Sequence, residues 1–520
     1  MKQIKYTLLL FLALLAGELY AGQTSPEASF RSVNKEYTWH ADGSMTLRCR
    51  KELKLFTHTA MNSTYGETFI TYNPYYESIK INESYTRQVD GTIIKTPENA
   101  FVEVLPSEAA NAPAFNHLKE LVIVHTGLEL GATIFLDYTV TTKAGFYPGL
   151  QVNEILQESS PVEEYTITLH YAEGMKPSVR LFGTNTSLRE EKNTFTATLK
   201  NIPARSREPY QVQNGDNKAR LVASGYTNVF TKLRERFDPG SSNGFRQLTD
   251  TVTKNCKTEK ERLEAILKFI RENIATSFVS MRETGYRLRN GEEVLRTVYG
   301  TEEEKLILLM TLLKSVGFAP EYIASFPAFI PKELYSFSTL KKVLLSVKAD
   351  GKDFICNSSS IVNNDVAGRS EEDIFLTTDE ERLTPPAIEP VNIKKELKVD
   401  GTPDENGFII YTLPSEWEMP ALSTIRSTVF ELSAPINNTY SYIVKIPEQS
   451  EWLKGNQNIT LKNKAGSYSQ TITQDDKTLK VSRSLQISKK QFSVTEYKEL
   501  RLLLNQWKDT NQRILLFKTK

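Results

Sequence analysis

The hydrophobic period of this chain changes twice, and that restricts its folds more than any other feature. From about residue 30 to residue 205 the period is two. Met45, Leu47 and Cys49 alternate with Thr46 and Arg48, and Leu53 and Leu55 continue the same face. Ile134, Leu136, Tyr138 and Val140 alternate with Phe135, Asp137 and Thr139; Tyr165, Ile167, Leu169 and Tyr171 alternate with Thr166, Thr168 and His170; Phe195, Ala197 and Leu199 repeat the pattern. Asp42-Gly43 and Asp90-Gly91 are hairpin-type turns. Strict alternation predicts strands with one buried face, hence an N-terminal antiparallel β-sandwich-like domain over residues 22–225.

From about 226 to 320 the period becomes helical. Thr258 with Glu261 forms a capping box that opens a helix with Leu263, Ile266, Leu267, Ile270 and Ile274 on one face. Thr301 with Glu304 forms a second, ahead of Leu306, Leu309, Leu312, Leu313 and Val316, with Gly317 as the stop. Strand-like runs at Val343–Val347 and Phe354–Cys356 follow, joined through Asp350-Gly351. Helices followed by an antiparallel pair predict an α+β domain over 226–383. After Thr384-Pro385-Pro386, read as a linker, strands return at Phe408–Tyr411, Tyr442–Ile446, Ile459–Leu461 and Leu479–Ile487. Ser493 and Glu496 cap a helix that turns Tyr497, Leu500, Leu504 and Trp507 inward, and Ile514–Phe517 closes a C-terminal β-sandwich-like domain, 384–520.

The first 21 residues read as an export signal. Lys2 and Lys5 precede an apolar run from Tyr6 to Gly17, too short for a membrane span of about 20 residues, and Leu19-Tyr20-Ala21 resembles a cleavage site. No cysteine follows at once to take a lipid. The expectation is an exported protein, periplasmic or associated with the cell surface, neither lipid-anchored nor an integral membrane protein. Removing Lys2, Lys5 and Glu18 from 64 basic and 63 acidic residues leaves 62 of each. A neutral mature chain argues against nucleic acid or acidic lipid as a partner.

Two stretches carry a family resemblance. Tyr72-Asn73-Pro74, Val89-Asp90-Gly91-Thr92, Thr96–Phe101 and Leu128-Glu129-Leu130-Gly131 resemble an export-linked domain of unknown function from Gram-negative envelope proteins, one that precedes a transglutaminase-like domain. Glu292–Gly300, Lys305, Leu308-Leu309 and Gly317-Phe318 resemble the centre of that second, papain-like domain. The resemblance implies a Cys/His/Asp triad. Its cysteine would open the helix after a Tyr-Gly turn, where the helix dipole and an imidazole favour the thiolate. Carried over by position, the cysteine falls on Glu302, the histidine on Lys342 or the adjacent Lys341, and the aspartate on Asn357. The five histidines are His40, His58, His117, His125 and His170, so no shift of register supplies the imidazole from the last 350 residues. The triad is degenerate. Acidic residues in a first helical turn favour the dipole by about 0.3–1 kcal/mol each, so Glu302, Glu303 and Glu304 read first as capping.

The reading that follows is a non-catalytic pseudoenzyme of the bacterial envelope, binding peptide or glycan or serving as a scaffold between β domains. Glu302, Lys342, Asn357 and Cys356 are its candidate binding positions. One alternative is a cysteine protease, amidase or transglutaminase with a relocated nucleophile, Cys356 foremost. Another is a carbohydrate-binding accessory protein, for which Tyr72, Tyr75, Tyr76, Trp417 and Trp452 are candidate groove aromatics; all five also fit strand or core positions. Cys49 reads as core. Cys256, in the lysine-rich run 254–257, either pairs with Cys356 or stays free. The histidines show no metal spacing, and no glycine-rich phosphate loop appears, so neither metal nor cofactor is expected.

Overall fold

The computed structural model describes residues 26–212, 218–225, 228–362, 373–384, 390–415, 422–432 and 434–519. The export signal at 1–21 and Trp417 lie outside them, as do Pro385 and Pro386 of the linker. Among the described residues, no helix is long and apolar enough to cross a membrane.

The alternating segments form an eight-stranded sheet. At its centre Ala28–Trp39 lies between Met45–Leu55 and Val162–Tyr171. Its apolar face is covered by two three-stranded sheets. One, built from Gln151–Ile155, Ser178–Phe182 and Arg220–Ser224, supplies Val152, Leu221 and Ala223 to a core with Phe30, Val33, Tyr165 and Leu169. The other, built from Glu67–Tyr72, Phe101–Val104 and Lys119–Val124, packs Ile70 and Ile123 on Leu136.

The antiparallel expectation needs correction at the centre of this sheet. Ala28–Trp39 and Val162–Tyr171 run parallel, in register from Phe30 beside Val162 to Trp39 beside Tyr171. Parallel neighbours require a crossover, and here the intervening chain supplies strands to this sheet and to both covering sheets. Asp137 also departs from the alternation. It lies on the polar face but is buried, because Arg48, Arg50 and Asn82 close over its carboxylate at 2.6–3.4 Å.

The helical segment gives Val229–Arg236, Arg246–Val252, Glu259–Asn273, Gly291–Thr297 and Glu302–Ser315. Both expected capping boxes form, and an unforeseen third links Asn290 with Glu293. Gly317, at φ +90°, ends the Glu302 helix: its N–H reaches Lys314 O, and Phe318 N–H reaches Leu313 O. That double bond is the Schellman pattern. These helices pack on a five-stranded sheet that includes Lys342–Ala349 and Lys352–Cys356, hinged at Asp350 (φ +49°) and Gly351 (φ +74°). Its central strand, Glu321–Pro327, escapes the sequence reading because prolines at 320 and 327 crowd a seven-residue run.

The C-terminal strands form a second five-stranded sheet, with Asn392–Lys398 parallel to Ile436–Lys445 and the helix Tyr497–Lys508 packed against it. Ser493 and Glu496 exchange capping-box bonds, Ser493 N–H to Glu496 Oε2 at 2.9 Å and Glu496 N–H to Ser493 Oγ at 3.3 Å, although regular helix begins only at Tyr497. The 206–212 segment, assigned from sequence to the N-terminal domain, belongs spatially to this unit too. Gln211 bridges Phe430, and Tyr210 stacks on the same ring at 4.9 Å.

Candidate functional site

The site begins with a turn. Val298 ends the Gly291–Thr297 helix in the left-handed region, φ +55°, and swings Tyr299-Gly300 into a short parallel pairing with Ala275-Thr276. Gly300 sits so close to Val294 and Glu304 that an added Cβ would lie 3.1 Å from Val294 Cγ1 and 3.3 Å from Glu304 Cβ. Thr301 then caps the next helix, accepting from Glu304 N–H at 3.3 Å. Glu304 returns the bond to Thr301 N–H and is itself buried against Arg289, whose Nη2 lies 2.8 Å away. The Glu302 helix is buried nearly all round from Glu304 to Leu313. Its first turn, at Glu302 and Glu303, meets open space.

That space is a cavity of about 440 Å³. Its walls come from two parts of the fold: Tyr37 and Gln151–Glu154 from the N-terminal sheets, and residues 276–282, Tyr286, Thr301–Glu303, Phe337 and Ser338 from the helical unit. Serines and carboxylates alternate with rings, and Phe278 stands 78% exposed at the site.

Glu302 faces this cavity and is pinned. Its Oε1 accepts from Thr276 Oγ1 at 3.2 Å, its Oε2 accepts from Ser358 Oγ, and Lys305 Nζ lies 3.9 Å from Oε1. Lys305 Nζ also donates to Thr276 Oγ1 at 2.8 Å. Burial pushes the Lys305 ammonium below its usual range, while Glu302 opposes that shift. Burial raises the neighbouring Glu303 carboxyl. A carboxylate held by two hydroxyls and a nearby ammonium keeps lone pairs for a donor from solvent. It offers an amide N–H, an amine or a hydroxyl a fixed acceptor.

The other expected positions are not drawn into the same contacts. Asn357 turns its Oδ1 back onto Ser359 N–H at 2.9 Å and Ser360 N–H at 2.7 Å, closing a turn that delivers its neighbour Ser358 to Glu302. Lys342 is exposed at the start of its strand, and Lys341 pairs with Asp373 at 2.8 Å. Cys356 is fully buried in the helix-facing core, and burial pushes its thiol up to about 12. Cys256 and Cys356 are both free thiols, and Cys49 is buried with its thiol raised by desolvation. The histidines hold local contacts, His117 stacked on Tyr75 and His170 bonded to Glu36 and Thr194. Among the described residues, no group of three metal-ligating side chains forms. Of the aromatic candidates among the described residues, Tyr72 and Trp452 are buried, Tyr76 stacks on Phe146, and Tyr75 is well exposed.

Sequence reasoning missed Thr276, Lys305 as a site residue, and Ser358. Lys305 left a signal, a cation directly ahead of the apolar run Leu306–Met310. Thr276 and Ser358 left none, because a strand pairing and an Asn turn bring them in.

Residues 41–206 match the domain of unknown function DUF3857, and residues 408–517 match the domain of unknown function DUF3858. No curated protein matches the chain. Among solved structures, a Parabacteroides distasonis protein described as a putative protease is 37% identical, with a TM-score of 0.77, over 95% of this chain and 99% of that one. A Cytophaga hutchinsonii protein described as a putative cysteine protease is 9% identical, with a TM-score of 0.19, over 61% of this chain and 77% of that one.

Proposed function

This chain belongs to the family of the Parabacteroides distasonis protein described as a putative protease, and from that premise we propose that it is an exported, non-catalytic member that holds a peptide segment in the cleft before the Glu302 helix. One observation carries the reading. The cleft is open, but the group at its helix end is a carboxylate engaged by Thr276, Ser358 and Lys305. A carboxylate is a poor nucleophile toward amides, and among the described residues the cavity lining includes neither cysteine nor histidine. What remains suits recognition: a fixed acceptor, serine hydroxyls and exposed Phe278.

The test combines chemistry with binding. Alkylation of the folded chain at pH 7, read cysteine by cysteine, should leave Cys49 and Cys356 unmodified, since a buried protonated thiol reacts hardly at all. Mixed peptides should survive incubation intact. A peptide that binds should raise the melting temperature, by the equivalent of about 2.7 kcal/mol at a hundredfold excess over Kd, and Glu302→Ala should remove the shift. Cysteine-dependent cleavage would establish the enzyme instead. Stabilisation by glycans and not by peptides would establish a carbohydrate-binding protein.

A further inference from the structure

A second cavity, of about 670 Å³, opens where the Gln151–Ile155 and Arg220–Ser224 strands meet the 205–212 segment. Four of its lining side chains are cations: Arg205, Arg207, Lys218 and Arg220. Its two carboxylates are engaged elsewhere. Glu158 accepts from Lys51 Nζ at 3.0 Å. Glu208 accepts from Ser427 N–H at 2.7 Å, from Thr428 N–H at 3.0 Å and from both their hydroxyls. Among the described residues, none of the four cations forms a salt bridge.

Arg220 is the informative member. Its Nη1 donates to Asn153 Oδ1 at 3.1 Å, yet its Nε is buried and has no acceptor among the described residues. Burial and then Arg205 hold its guanidinium below the usual range; burial and then Arg205 and Arg220 do the same to Lys218. Like charges half withdrawn from water destabilise the protein unless a counter-charge joins them. A buried donor without an acceptor adds to that cost.

We propose that this cavity is a binding site for a multiply charged oxyanion of the phosphate or sulfate type, with the Arg220 guanidinium at its inner wall and Arg205, Arg207 and Lys218 closing around the remaining oxygens. Arginine forks match tetrahedral oxyanions with paired bonds. The chain carries a formal net charge of only +1, so the attraction is local. That favours a compact anion, free or as an ester on a larger molecule, over an extended polyanion. The site borders the cleft without sharing its chemistry. Asn153, which receives Arg220, donates to Ser338 O at 2.5 Å, and Ser338 lines the cleft.

Calorimetric titration of the full chain with inorganic pyrophosphate at low ionic strength tests this, followed by inorganic sulfate and glucose 6-phosphate. Saturable binding at one site is expected, weakened roughly tenfold by Arg207→Ala and by Lys218→Ala, each removing a charge-assisted bond. Arg205→Ala/Arg207→Ala should abolish it; both side chains are exposed, so folding is spared. Arg180→Ala, whose guanidinium already pairs with Glu333 at 2.7 Å, should leave affinity unchanged. Tighter binding of the sugar phosphate than of pyrophosphate assigns an ester-borne ligand, and the reverse a free anion. Absence of saturable binding to all three probes, or affinity unmoved by the double variant, overturns the proposal. Neither result depends on whether the cleft holds peptide.

Discussion

His125 shows how one buried side chain ties stability to pH. It sits 6% exposed, with Nε2 at 2.9 Å from Thr68 Oγ1 and Nδ1 buried without a hydrogen bond. Burial lowers its pKa from an ordinary 6.5 to about 4. Between those values the unfolded chain takes up a proton that the folded chain refuses. Its contribution is therefore fully present above pH 6.5 and lost as the pH falls toward 4, on the order of 3 kcal/mol in all. Urea unfolding of the parent and of His125→Gln at pH 7 and pH 4 should show the variant losing less on acidification, by about 2–3 kcal/mol. Parallel losses in the two proteins would reject it. Residues at this scale were unevenly legible. The alternation at Cys49 announced its burial, and the position of Glu302 followed from the Tyr-Gly turn ahead of the leucine helix. The partners of Glu302 did not, because Thr276 and Ser358 lie 26 and 56 positions away.

Elements were more legible, since their signals are local. Thr258 with Glu261, and Thr301 with Glu304, formed the expected boxes, and Gly317 took the left-handed stop. The parallel pairing of Ala28–Trp39 was hidden, because alternation fixes which face of a strand is buried but not the direction of its neighbour. Val298 was hidden as well. A β-branched residue in the left-handed region is strained by about 1–2 kcal/mol, and here it aims Tyr299-Gly300 at Ala275-Thr276. It is 57% exposed, so little packing holds it. Val298→Gly should therefore stabilise the chain by about 0.5–1 kcal/mol, the relieved strain less the entropy of glycine. A higher denaturant midpoint at constant slope is the expected readout. An unchanged or lower midpoint would mean that its methyl groups support the turn.

At the scale of the whole molecule, the cleft exists because two units are locked face to face. Gln151 Oε1 accepts from Ser338 N–H at 3.0 Å, Asn73 Nδ2 donates to Glu283 O at 3.1 Å, and Arg287 Nη2 donates to Gly145 O at 2.8 Å. Phe146, Tyr147 and Tyr286 interleave their rings across the same boundary. The C-terminal unit is held differently, through the narrow 206–212 segment. There Glu208 clamps Ser427 and Thr428, and fully buried Arg426 lies 3.8 Å from that carboxylate while stacking on Phe430 and Tyr497. Glu208→Ala removes the clamp and strands the Arg426 charge. The C-terminal unit should lose about 2–4 kcal/mol, and the two units around the cleft should keep their stability. Hydrogen exchange read by mass spectrometry separates these outcomes, because protection reports local opening. Faster exchange confined to residues 390–519 would show that this unit rides on the cleft-forming pair as a separable body. Faster exchange spread through the Glu302 helix would show instead that the clamp stabilises the cleft itself.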